Sequence, residues 1–150
     1  MNDYYISCNK SLLKIEKIWF LLKDCFWSKN IPLEYVKKFI QHSICFAVYE
    51  EEAHQLVGFG RVITDYTTYA YICDVVIDVE HRGKGLGRAL IKEILSCPEL
   101  QGLKTLALRT TEQARKIYEE NGFSIAAQPE TQLEINDIDI YCRPTFIYQT

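Results

Sequence analysis

Three glycines and three cations fall within seven residues, Arg82-Gly83-Lys84-Gly85-Leu86-Gly87-Arg88, and such a stretch can hold a phosphate. The run before it, Tyr71 to Val79, is rich in β-branched and aromatic side chains. After it, Leu86, Leu90 and Ile94 recur on one helical face, so the glycines sit between a strand and a helix. At a helix N-terminus the first backbone N–H groups lack helical partners and the helix dipole favours negative charge. Glycine there lets a ligand approach the backbone where a Cβ would collide. A second chemical candidate is Asp74, inside the apolar run Tyr71-Ile72-Cys73-Asp74-Val75-Val76-Ile77. A carboxylate in such a strand is costly unless it is paired or protonated. It has two possible reasons to be there. One is catalysis, because burial raises a carboxyl pKa toward neutrality and lets it take a proton from an ammonium. The other is architecture, by pairing with Arg61 or Arg109 or by accepting backbone hydrogen bonds.

The spacing excludes two kinds of phosphate site. A dinucleotide fingerprint needs G-x-G-x-x-G, and counting from Gly83 and Gly85 the third glycine position holds Arg88. A Walker loop, G-x-x-x-x-G-K-[ST], occurs nowhere in the chain. What remains is R-x-x-G-x-G at Arg82, Gly85 and Gly87, which resembles the acyl-CoA pyrophosphate loop of the GNAT superfamily of N-acetyltransferases. Further on, Tyr118-Glu119-Glu120-Asn121-Gly122-Phe123 carries the phrase Y-x-x-x-G-F, which in that family follows the loop by about one helix and one strand. The likeness covers nearly the whole chain, and Ser43 to Leu108 is similar to small bacterial members of unassigned acceptor. Two positions depart from the pattern. Val79 stands where the family usually has proline, three before the loop arginine, and Thr111 where it often has asparagine, seven before the tyrosine.

The resemblance implies an α/β fold of GNAT type, with a mixed, mostly antiparallel central sheet flanked by helices, and transfer of acetyl from acetyl-CoA to a primary amine in a ternary complex. Tyr118 matches the position whose phenol lies beside the CoA sulfur as general acid or thiolate donor. Core packing is its bland alternative. Arg82, Gly83, Lys84, Gly85, Leu86, Gly87 and Arg88 would hold the diphosphate, the Ile77 amide would meet the carbonyl oxygen, and backbone groups of Val75 and Val79 would line the pantetheine arm by extending the strand's ladder. Thr111 could cap a helix or hold a water near CoA. The base is the weak point. Side chains alternate along a strand, which turns Asp74 and Cys73 opposite ways. The family's usual base positions fall near Tyr71 and Cys73, neither a good base at neutral pH, so a water relay is compatible. Arg61, Asp65 and Trp27 lie where the family binds its acceptor, against the plainer readings of solvated charges for Arg61 and Asp65 and core packing for Trp27. Two rival functions remain: a non-catalytic acyl-CoA sensor, and acylation of protein lysines or N-termini.

Around these residues the periodicity predicts a helix over Leu12 to Phe26 with Ile15, Trp19, Leu22 and Phe26 inward, and a second helix after Pro32. Strands are predicted at Ile44 to Tyr49 and Leu56 to Ile63, forming a hairpin, then at Tyr69 to Val79. A helix halted by Cys97-Pro98, a strand at Leu103 to Leu108 and a short helix from Glu112 to Glu120 follow. Strand-like stretches at Ser124 to Ala127 and Ile138 to Tyr148 end the chain, Pro144 marking a bulge or edge.

At 150 residues, about half hydrophobic, the chain reads as one domain over residues 1–150 able to fold alone, as monomer or homodimer. Its net charge of −3 without a basic run argues against nucleic acid. No run approaches the ~20 apolar residues that span a bilayer, and none resembles a signal peptide. The six cysteines lack C-x-x-C spacing and read as reduced, small core residues of a cytoplasmic protein. His42, His54 and His81 form no metal-binding pair, so no metal is expected.

Overall fold

The structure, a computed structural model, describes residues 3–144. Five strands form one sheet in chain order: β1 (Tyr4–Ser7), β2 (Ile44–Glu50), β3 (Gln55–Thr64), β4 (Tyr69–Ile77) and β5 (Thr105–Leu108). Neighbours are antiparallel except β4 and β5, which are parallel. A parallel pair needs a crossover, and α3 (Leu86–Ser96) supplies it. The remaining helices are α1 (Ile15–Leu22), α2 (Leu33–Gln41) and α4 (Glu112–Glu119).

The sheet is buried on both faces. Ile18 and Leu22 of α1 and Val36 and Ile40 of α2 pack on Cys45, Ala47, Tyr49 and Phe59. On the opposite face Leu86, Leu90, Ile91 and Ile94 of α3, with Tyr118 of α4, pack on Phe46, Val48, Val62 and Ile72. Burying each such side chain contributes roughly 1.5–3 kcal/mol, which fixes both helix pairs against the strands that carry the site.

Most predicted elements appear within a residue or two, and several differ. Strand β1 was not foreseen; its four residues are too short to show periodicity. Helix α1 stops at Leu22, so Phe26 is 61 % exposed rather than inward. Strand β4 stops at Ile77. Asp78 then accepts a hydrogen bond from the Glu80 amide and caps a short 3-10 turn, so Val79 does not extend the strand and is exposed. Ser124 to Ala127 form no strand, and a cavity separates Ser124 to Ala126 from β5. Residues 138–144 form turns and a 3-10 segment at Ile140–Cys142, while the rest of the predicted final strand lies outside the described residues. Only Cys45 and Cys97 are buried; Cys8 and Cys142 are exposed, Cys25 and Cys73 half-buried, and all six are free thiols.

Candidate active site

Two irregularities in β4 make the site. The first is a bulge. Phe59 pairs with Val76 and Arg61 with Cys73, so Gly60 alone faces both Asp74 and Val75. Asp74 takes up the extra residue with φ +54°, a left-handed conformation that aspartate tolerates better than most residues. The bulge resets the alternation, which corrects the expectation that Cys73 and Asp74 point opposite ways. The Asp74 carboxylate reaches Arg61, the cross-strand partner of Cys73: Arg61 Nε donates to Oδ2 at 2.5 Å, and Trp27 Nε1 donates to Oδ1 at 2.9 Å. Arg61 also donates to Ser43 Oγ at 3.1 Å and lies 4.1 Å from the Phe39 ring centroid. The ion pair is enclosed, with side chains 16 % and 8 % exposed for Arg61 and Asp74. Of the two sequence readings of Asp74, this geometry supplies the architectural one.

The second irregularity is a splay. Strand β5 pairs only with Tyr69 to Ile72, leaving Cys73 to Ile77 without a neighbour on that side. Helix α4 begins beyond the gap, its first turn capped by Thr111 Oγ1, which accepts from the Ala114 amide at 3.3 Å. A cleft of about 810 Å³ runs from this gap along Val75, Val76 and Ile77 to Arg82, Gly83, Gly85, Gly87 and Arg88 at the start of α3. Gly83 and Gly85 hold φ near +75° and +78°, and Gly85 is the N-cap of α3. Arg82 Nε donates to the Ile77 carbonyl at 2.9 Å, which ties the loop to the strand end. A second cavity of about 530 Å³ lies on the other side of the gap, among Phe26, Trp27, Tyr71, Cys73, Asp74 and Ile138. The two meet at Phe26, Trp27, Val75, Thr111, Ala114 and Tyr118, which line both. Tyr118 is 9 % exposed and packs edge-on against Phe123 with ring centroids 5.9 Å apart, and burial raises its pKa.

Residues 41–125 match the family model of the acetyltransferase (GNAT) domain, more than half of the chain. The chain belongs to the GNAT acetyltransferase family. A GNAT-family protein of Xanthomonas campestris pv. campestris, solved by crystallography, superposes with a TM-score of 0.87 at 37 % identity, over 93 % of this chain and 97 % of that one. The uncharacterised N-acetyltransferases ycf52 of Gracilaria tenuistipitata var. liui and of Pyropia yezoensis are 31 % and 30 % identical, each over 81 % of this chain and over 67 % and 70 % of their own lengths.

As a GNAT acetyltransferase the protein acts on an amine acceptor. The structure gathers Tyr118, Thr111, Val75, Ile77, Trp27, Asp74, Arg82, Arg88, Leu86 and the three loop glycines around the two joined cavities. Three candidates lie apart. The Lys84 side chain turns away to Tyr4, donating to its hydroxyl at 2.9 Å. Val79 sits on the exposed turn after β4. Asp65 holds the β3–β4 connection together, accepting from the amides of Thr67, Thr68 and Tyr69 and from the Thr68 hydroxyl. These donors hold its carboxyl well below the usual carboxylate range. Arg61 reaches the site only through Asp74. Sequence reasoning missed Phe26, Asn136, Ile138 and His81 as lining residues. Only Phe26 left a trace, as an aromatic where the helical pattern runs out. Among the described residues no group of His, Cys, Asp and Glu could hold a metal ion, and no helix is long and apolar enough to cross a membrane.

Proposed function

We propose that the protein transfers an acetyl group from acetyl-CoA to a primary amine, with both bound together and the amine attacking the thioester carbonyl directly. The observation that carries this reading is the junction of the two cavities at Tyr118. One leads back to the glycine-rich loop and the other opens among aromatic side chains. The residues fit a CoA diphosphate. A Cβ at Gly83, Gly85 or Gly87 would meet no atom within 4 Å beyond its chain neighbours, so a ligand can approach the start of α3 closely, beside Arg82, Arg88 and His81. The open edge of β4 from Cys73 to Ile77 can receive an amide-bearing arm as it would another strand. When bound, acetyl-CoA supplies the activated acetyl group.

Each chemical role then falls to a named group. A β4 backbone N–H, with Ile77 the leading candidate, polarises the carbonyl oxygen. The Tyr118 phenol donates its proton to the departing thiolate, and burial keeps that proton in place at neutral pH. The acceptor ammonium loses its proton to water in the cavity, since Asp74 is committed to Arg61 and Trp27. Burial pushes the Cys73 thiol up to about 12 and the Cys25 thiol up to about 11, which favours direct attack over an acyl-cysteine intermediate. The test is free-thiol release from acetyl-CoA across a panel of amines. Amine-dependent release supports the transferase, whereas CoA binding without release with any amine would leave a sensor.

A further inference from the structure

The charge inventory of the acceptor cavity narrows the substrate class, and this step rests on the transferase reading above. Among the described residues that line the cavity, Asp74 is the only carboxylate, and both of its oxygens are occupied, by Arg61 and by Trp27. The only cation in the lining is Arg109, itself ion-paired with Glu134. No uncompensated negative charge therefore faces the space. Most of the wall is apolar or aromatic: Phe26, Trp27, Tyr71, Val75, Ala114 and Ile138. Trp27 is oriented by its bond to Asp74 and meets Phe26 edge-on at 5.0 Å between centroids.

We infer that the acceptor is a primary monoamine whose apolar body includes at least one ring and carries no second positive charge. The reacting ammonium gives up its proton to water before it attacks, so it needs no lasting counter-ion in the cavity. Any further ammonium would stay charged and would leave water without gaining an anion, since the one lining carboxylate is already paired. An apolar body gains by leaving water for the wall. Discrimination between acceptors here comes as much from refusing a second cation as from packing the ring.

The test compares kcat/KM for 2-phenylethylamine, spermidine and a lysine-rich peptide with acetyl-CoA as donor, read as thiol release. The expected result is a preference for 2-phenylethylamine of about tenfold or more over either polycation. The variant Ile138→Asp adds a carboxylate at a half-exposed wall position where folding is not at stake. It should shift the ratio toward spermidine by about tenfold. Preference of the wild type for spermidine or the basic peptide would overturn the inference and leave the transferase reading standing. Calorimetric binding of acetyl-CoA with no release for these three amines or for any of the wider panel would overturn both.

Discussion

The two halves of the site are built differently. The donor half consists of backbone: the edge of β4, the amides that open α3 and the capped first turn of α4. These are locked by Leu86, Leu90, Ile91 and Ile94, none more than 2 % exposed. The acceptor half consists of side chains. Phe26 and Trp27 come from the turns after α1, and Asn136 and Ile138 from a stretch without helix or strand. What joins the halves is Asp74, which bulges the donor strand and anchors an acceptor tryptophan. A ligand common to a whole family can be held by main-chain groups that any sequence with the right turn provides. A ligand peculiar to one member must be read by side chains on segments free to vary.

Four substitutions break or sharpen this contrast. Gly87→Glu should separate donor binding from folding most sharply. A Cβ there meets nothing and acid suits a first helical turn, so the melting temperature should hold or rise, while acetyl-CoA affinity falls on the order of 10³-fold as carboxylate confronts diphosphate. Arg61→Ala strands an enclosed carboxylate and should cost about 3 kcal/mol in denaturant unfolding. Among the molecules that remain folded, the KM for amine should rise while acetyl-CoA affinity is kept. Tyr118→Phe should lower kcat by about 10²-fold with acetyl-CoA affinity nearly unchanged. Because burial raises the Tyr118 pKa, wild-type kcat should show no loss from its ionisation until above pH ~10.

Asp65→Ala lies outside both halves and should have the smallest effect. Its folded pKa is depressed, so its stabilisation is present above the unfolded value of about 4 and disappears as pH falls through the folded one. The melting temperatures of wild type and variant should therefore converge in acid, while kcat and KM stay alike at neutral pH.

The same contrast explains what could be read from the chain. The loop from Arg82 to Arg88 and the phrase from Tyr118 to Phe123 were legible because backbone geometry demands glycine at fixed positions, as the left-handed φ of Gly83, Gly85 and Gly122 bears out. Helix α3 was legible because its apolar face follows the helical period. The bulge at Asp74 was not. It is created by the register between β3 and β4, a pairing across the sheet that no local pattern encodes, and it reverses the direction in which that carboxylate points. The acceptor wall was nearly invisible for the same reason, since Trp27 meets Asp74 across 47 positions of sequence. Asp65 was open to two readings, acceptor contact and solvated charge, and the structure shows it clamping a turn, its oxygens accepting from the three residues that follow Tyr66.

The central claim, that the amides opening α3 hold the diphosphate of coenzyme A, is met most directly by calorimetric titration of wild type and Gly87→Glu with acetyl-CoA side by side. The account predicts saturable one-site binding to the wild type and its near loss in an equally stable variant. Equal heats from the two proteins, or no heat from folded wild type at millimolar ligand, would contradict it.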